Sequence, residues 1–245
     1  MKKPVLYTES VYFVALALLA FGTALMAYGD LGISMVVAPA YILYLFLSQF
    51  LPFFSFGVAE YILQAIVLLV LTVVLRKGKL MYLLSFAAAL YYGFVLDIAM
   101  TLTALLPDNG YLRVAIYVIG AIVSCSSLAL LFKSYLPPEA YELFSKEIAA
   151  KYHKPIHEIV NSYNVGSLLV ALILSLAFFG SIRGIGIGTV VCALGYGFVI
   201  RLFQTLYDKI FQFIDRFTWR KQFENGVKPM PPENIDFVEV DGISE

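Results

Sequence analysis

The chain has 245 residues, of which 61% are hydrophobic, 16% aromatic and only 14% charged. Soluble domains are roughly half apolar and about a quarter charged, so a cytosolic enzyme, a disordered chain and a nucleic-acid binder are excluded, and an integral membrane protein remains. Lys+Arg and Asp+Glu number 17 each; the whole-chain field cancels, and the placement of each charge becomes the informative quantity. Cys125 and Cys192 lie in apolar runs, which indicates neither a disulfide framework nor a thiolate metal site.

In chain order, Lys2 and Lys3 precede an apolar run over 10–28, followed by runs at 56–75, 81–105, 112–132, 162–180 and 185–206. Each approaches the roughly 20 residues that a helix needs to cross a hydrocarbon core of about 30 Å. The first run exceeds the usual 7–15 residues of a signal-peptide core and is read as a span that stays. The stretch Val36 to Phe54 is apolar but interrupted by Pro39 and Pro52. Charge decides whether it spans. With six spans and the N-terminus inside, the cytoplasmic side holds Lys2, Lys3, Arg76, Lys77, Lys79, Lys133, Lys146, Lys151, Lys154 and every basic residue from Arg201 onward, leaving only Arg113 and Arg183 outside. A seventh span would reverse that bias, so the positive-inside rule selects six spans with both termini cytoplasmic. Residues 36–54 then form an interfacial or re-entrant helix at the outer leaflet.

A shift of 104 residues lays Ser85 to Asp97 on Thr189 to Arg201 with six of 13 positions identical, including Tyr92-Gly-Phe-Val95 against Tyr196-Gly-Phe-Val199. The same shift lays span 1 on span 4, span 2 on span 5, and the helix after span 1 on the segment Pro138 to Tyr152. Each repeat is a span, an interfacial or re-entrant helix and two further spans. Three is odd, so two such repeats in series have opposite topology, related by a pseudo-two-fold axis in the membrane plane, as in many secondary transporters. The expected fold is therefore an all-α membrane protein with a 3+3 inverted repeat. Residues 1–105 form the first repeat and 106–206 the second, in which Ala140, Leu143, Phe144 and Ile148 give the charged helix an apolar stripe suited to the cytoplasmic interface. Beyond span 6, Phe203 through Phe217 continue a helical apolar face with Lys209, Arg216, Arg220 and Lys221 as its basic complement, so 207–245 is expected to be a cytoplasmic basic amphipathic helix followed by an acidic, proline-bearing tail.

Three short motifs carry a family likeness: Leu31-Gly-Ile-Ser34 after span 1, Leu136-Pro-Pro-Glu139 at the matching point after span 4, and Gly184-Ile-Gly-Ile-Gly-Thr189 opening span 6. On these the chain resembles the YczE/YyaS/YitT group of bacterial membrane proteins, most closely its YczE branch, over roughly residues 10–206. Met35 stands where a proline commonly follows the first motif. The resemblance implies an integral membrane protein of the bacterial cytoplasmic membrane, of a kind often taken for a transporter.

Ionisable groups within spans are costly and are functional candidates by default. Glu60, about 6 Å below the outer face, and Asp97, about 22 Å above the inner one, fall at nearly the same level. Their repeat partners Asn164 and Arg201 form the equivalent inner layer. An outer acidic layer of Glu60 and Asp97 would handle protons or cations, with Gln64 one turn below Glu60 continuing its face. Asn164 and Arg201 would meet substrate or seal the cytoplasmic gate, with Tyr92 and Tyr196 along the pathway. The competing reading is that each group snorkels to its interface. Gly184, Gly186 and Gly188, with Arg183 and Thr189, would leave a helix N-terminus open to an anion; the bland alternative is that alternate glycines let span 6 pack closely. Ser124, Cys125, Ser126 and Ser127 read as small packing residues, and His153 and His157 could pair on a metal only if one helix ran through both.

Together these features describe a secondary transporter of a small solute, proton- or cation-coupled, with its site between the repeats. The alternative is a non-transporting membrane protein that scaffolds a partner. No catalytic set, cofactor motif, resident metal site or nucleic-acid surface is visible, so the expected partners are the bilayer and a solute or ion, with self-association left open.

Overall fold

The computed structural model describes residues 3–76, 78, 80–107, 109–154 and 156–216. A short strand, β1 (Val5–Tyr7), leads into α1 (Thr8–Gly29), α2 (Ala38–Leu47), α3 (Phe56–Leu75), α4 (Leu80–Thr103), α5 (Gly110–Leu131), α6 (Ala140–Tyr152), α7 (Ile156–Phe179) and α8 (Ile187–Ile210), before β2 (Gln212–Ile214). Among the described residues, six helices are long and apolar enough to cross a membrane: α1, α3, α4, α5, α8 and the stretch Glu158–Phe179 of α7. The chain is thus a predominantly helical, multi-pass membrane protein.

Helix ends follow from local chemistry. Ser55 caps α3 by accepting from the Val58 N–H at 3.1 Å, and Asn109 caps α5 by accepting from the Tyr111 N–H at 3.1 Å, each supplying an oxygen to a donor that the first turn leaves unpaired. Asp30, Arg76 and His153 adopt left-handed backbone and close α1, α3 and α6. Helix α6 closes at His153 and α7 starts at Ile156, so one helix does not run through 153 and 157 and the condition set for a metal pair is not met.

Residues 36–54 do not span. Pro39 sits in the first turn of α2, where its missing N–H costs nothing. At 10 residues, α2 is about 15 Å long, half of what a crossing needs. Its first residues, Ala38, Ala40, Tyr41 and Ile42, are buried in the main core, whereas Phe50 and Phe53 beyond it are exposed.

The tightest pairing is between α1 and α5. A Cβ on Gly22 would lie 2.4 Å from Ser124 Oγ and 2.9 Å from the Gly120 carbonyl, and one on Gly120 would lie 2.8 Å from the Gly22 carbonyl. Small residues at this crossing let the two backbones touch, the packing mode that replaces the hydrophobic effect within lipid. Around this pair α4 packs on α1 and α8 on α5, α3 packs on α4, α2 fits between α7 and α3, and α6 lies against α3, α7 and α4.

The C-terminal end differs from the sequence expectation. The helical face projected from Phe203 through Phe217 stops at Ile210; Phe211 turns to extended backbone, and Gln212–Ile214 pair in parallel with Val5–Tyr7. The alternating Phe211-Gln-Phe-Ile segment is β-prone, and it finds an unpaired strand edge at the start of α1. Lys133 bonds both carboxylate oxygens of Asp208 at 2.7 Å on the same end of the bundle. Phe217, Arg220, Lys221 and the acidic tail lie outside the described residues.

Candidate functional site

Glu60 and Gln64 lie one turn apart on α3 and are both fully buried. The chain reaches them from a second direction. After α5, Pro137 and Pro138 turn into the bundle, where their carbonyls accept the Tyr12 hydroxyl at 2.8 Å and the Ser85 hydroxyl at 2.6 Å. Glu139 follows at once and is buried. Helix α6 then runs alongside α3 in the same direction, with the Ala140 N–H donating to Gln64 Oε1 at 3.2 Å and, a helix length away, Lys151 Nζ donating to the Val74 carbonyl at 2.7 Å.

Gln64 is the hub of the resulting cluster. Its Nε2 donates to Glu60 Oε2 at 3.3 Å and to Glu139 Oε2 at 3.4 Å, so one amide bridges two carboxyls. The Tyr141 hydroxyl gives Glu60 Oε2 its shortest contact, at 2.7 Å. The ring of Tyr163 on α7 stands 6.1 Å from that of Tyr141 and 5.4 Å from that of Phe144. On the other side, Tyr92 of α4 donates to Thr23 of α1 at 3.0 Å. Three carboxyl oxygens in this region, Glu60 Oε1, Glu139 Oε1 and Glu142 Oε2, are buried without a hydrogen-bond partner. Among the described residues no lysine or arginine pairs with Glu60 or Glu139.

Burial, reinforced by the nearby carboxyls of Glu142 and Glu60, pushes Glu139 well above the usual carboxylate range. Burial likewise raises Glu142, which the charge of Lys146 partly offsets. An ionised carboxylate far from water is expensive unless paired, so these groups are disposed to hold a proton or to meet a cation.

The candidate pathway residues divide sharply. Gln64 joins Glu60, and Tyr92 lies close by. Asp97 does not join them; it accepts from the Ser55 hydroxyl at 2.6 Å and the Gly57 N–H at 2.7 Å, anchoring the start of α3, where free N–H groups attract a negative charge. The expected outer layer of Glu60 and Asp97 is thus a carboxyl cluster on one side and a helix anchor on the other. Asn164 is half-buried on α7 and Arg201 is exposed on α8, and neither enters the cluster. Tyr196 donates to Met26 Sδ at 3.0 Å, in a separate packed group with Tyr117 and Cys192.

At 183–189 most of the N–H groups that the anion-site expectation relies on are drawn into close packing. The Gly188 N–H donates to the Leu31 carbonyl at 2.8 Å and the Ile33 N–H to the Gly184 carbonyl at 3.2 Å, while the Gly186 N–H is taken by Thr189 Oγ1 at 3.3 Å. A Cβ on Gly186 would lie 2.4 Å from the Leu31 carbonyl. The glycines admit the 31–33 loop, which covers the N-terminus of α8, and Arg183 stacks over the Phe179 ring at 4.8 Å.

Glu139, Tyr141, Glu142 and Tyr163 are additions that the sequence reading missed. The usable signal was Leu136-Pro-Pro-Glu139, where two prolines forbid helix and place an acid directly before a new one.

A model described as a family of unknown function, DUF6198, matches residues 6–205. The chain belongs to the DUF6198 family. The matched stretch of this DUF6198 protein contains every residue of the cluster and ends within α8. No curated protein and no solved structure matches the chain significantly.

Proposed function

We propose that this DUF6198 protein is a secondary transporter of a small solute, with the Glu60–Gln64–Glu139 cluster as the place where the coupling ion is held. The observation that carries this reading is a pair of buried carboxyls, on two different elements, bridged by one amide, with no lysine or arginine paired to either among the described residues. Such a group has a high cost in a membrane bundle and a direct use in one: its charge changes when an ion arrives or leaves.

The inverted repeat belongs to the same proposal, and the packing supports it. Exchanging α1, α2, α3 and α4 with α5, α6, α7 and α8 maps the α1–α4 contact onto α5–α8, α2–α3 onto α6–α7, and α2–α7 onto α6–α3, whereas the α3–α4 packing has no counterpart of similar extent between α7 and α8. The loop contacts exchange too: residues 31–33 meet the start of α8, as Pro138 meets Ser85 near the start of α4. In this scheme α2 and α6 are re-entrant helices entering from opposite faces, and both termini are cytoplasmic in a bacterial inner membrane. The likeness to the YczE branch points the same way.

The test is uptake by proteoliposomes against a panel of amines, amino acids, organic acids, sugars and nucleosides, with and without an imposed pH or sodium gradient. Gradient-dependent accumulation of one solute class is the expected result. A folded, reconstituted protein that moves none of them would favour the scaffold alternative.

A further inference from the structure

Resting on the transporter reading for its role but not for its chemistry, we infer that the ion held at this cluster is a proton, shared between Glu60 and Glu139, and that no metal cation is bound there. The groups hydrogen-bonded to the two carboxyls are donors. Tyr141 directs its O–H, and Gln64 its NH₂, at Glu60 Oε2, and the same NH₂ reaches Glu139 Oε2. The lone acceptor that Gln64 owns, Oε1, is turned away to the Ala140 N–H. A hard cation asks for the reverse, several oxygen lone pairs converging on one point: about six to eight for Ca²⁺ and six for Mg²⁺. Here the donor hydrogens occupy directions from which a cation would be approached, and Glu60 Oε1, Glu139 Oε1 and Glu142 Oε2 are the carboxyl oxygens left over, half or fewer of the ligands that such a cation takes. A proton needs only one of them.

Charge points the same way. Facing the pair are Gln64 from α3, Tyr141 and Glu142 from α6, Tyr163 from α7, Tyr12 from α1, and Tyr92 from α4, the last bonded to Thr23 of α1. Lys146, whose charge acts on Glu142, is the basic group that couples to the cluster among the described residues. With both carboxyls ionised, one neutral amide would separate two buried negative charges; with one proton bound, the pair carries a single negative charge that the Tyr141 O–H and the Gln64 N–H groups can serve. Transfer is balanced: the proton leaves one carboxylic acid as the other carboxylate accepts it, and the total charge stays the same.

Infrared difference spectroscopy on the purified protein in nanodiscs reads the protonated-carboxyl band directly. The wild type should show a band that disappears on alkalinisation, loses its Glu60–Glu139 component in Glu60→Gln/Glu139→Gln while any Glu142 contribution stays, and titrates more than one pH unit away in either single variant, because strongly coupled groups titrate as a pair. Sodium or potassium added at constant pH should leave it unchanged. Should a glutamine variant fail to fold, Tyr141→Phe retains both carboxyls and the ring, and the band should move in position as one hydrogen bond is lost. Removal of the band by sodium or potassium at fixed pH, a titration moved by only one of the two single substitutions, or a band unchanged by Tyr141→Phe would overturn the inference. These results are independent of transport: a sodium-displaced band still suits a transporter, whereas an intact proton signal with no solute uptake would sink the transporter reading alone.

Discussion

Substituting Asp97 separates an anchoring role from a pathway role. Its carboxylate accepts two short hydrogen bonds, from the Ser55 hydroxyl at 2.6 Å and the Gly57 N–H at 2.7 Å. Hydrogen bonds to a charged group contribute about 1.5–3 kcal/mol each, and the half-buried position places the sum for Asp97→Ala near the low end, about 3 kcal/mol. Asp97→Asn retains an amide oxygen for the Gly57 N–H but replaces the acceptor of the Ser55 hydroxyl with an NH₂ donor and removes the charge, so it should cost about 1–2 kcal/mol. For a chain of this length, 1 kcal/mol moves the melting temperature by about 2–4 °C. Cys125 and Cys192 are both free and buried, so a thiol-reactive dye reports unfolding without any engineered label. The expected shifts are roughly 6–12 °C downward for Asp97→Ala and a few degrees for Asp97→Asn, with activity per folded molecule preserved. An unshifted Asp97→Ala would refute the anchoring argument, and a normally melting Asp97→Asn that loses gradient-driven uptake would return Asp97 to the pathway.

Gly22→Leu should drive α1 and α5 apart, since even a Cβ would stand 2.4 Å from Ser124 Oγ; overpacking of this kind costs about 1–3 kcal/mol, and an unchanged melt would show that the crossing is loose. Burial, with Glu142 and Glu60 nearby, raises Glu139 in the folded state, so its stabilising contribution is complete below the ordinary carboxylate range and is lost as pH rises through the raised folded value. Melting temperature should therefore fall with rising pH, and Glu139→Gln should flatten the profile; a wild type that gains stability through that range contradicts the assignment. A single cysteine at Asn109 should react only with external reagent and one at Lys154 only from the cytoplasm, whereas the reverse at either position would invert the topology.

Six helices were legible because a bilayer imposes a length that composition must meet, and because lysines and arginines decide whether the interrupted stretch 36–54 can be a seventh. The ends were less so: α7 begins at Ile156 rather than near 162, and α8 runs to Ile210, because polar residues such as Glu158 and Asp208 remain helical beyond an apolar window. Half of the site was equally readable. Glu60 stands out as an acid within an apolar span, and the four-residue spacing puts Gln64 on its face. Glu139 lies outside every apolar run, and its burial arises only when α6 enters the bundle beside α3, a contact between residues 75 positions apart. Helical periodicity gives α6 a polar face but cannot distinguish water from a neighbouring helix as its surroundings. The partners of Asp97 were hidden for a related reason: depth along a helix says nothing about which neighbouring N–H groups the carboxylate will reach.

The most direct test of the site is electrometry of wild type and Glu60→Gln reconstituted on a solid-supported membrane, challenged first with a pH step and then with the same solute panel. Glu60→Gln preserves size and hydrogen bonding while removing the titratable group. The wild type should give a charge movement with one solute class that grows with the imposed pH gradient. Glu60→Gln should lose that gradient dependence while still exchanging the solute across the membrane. A Glu60→Gln protein with currents and pH dependence indistinguishable from wild type would contradict the assignment of the buried carboxyl cluster as the coupling site.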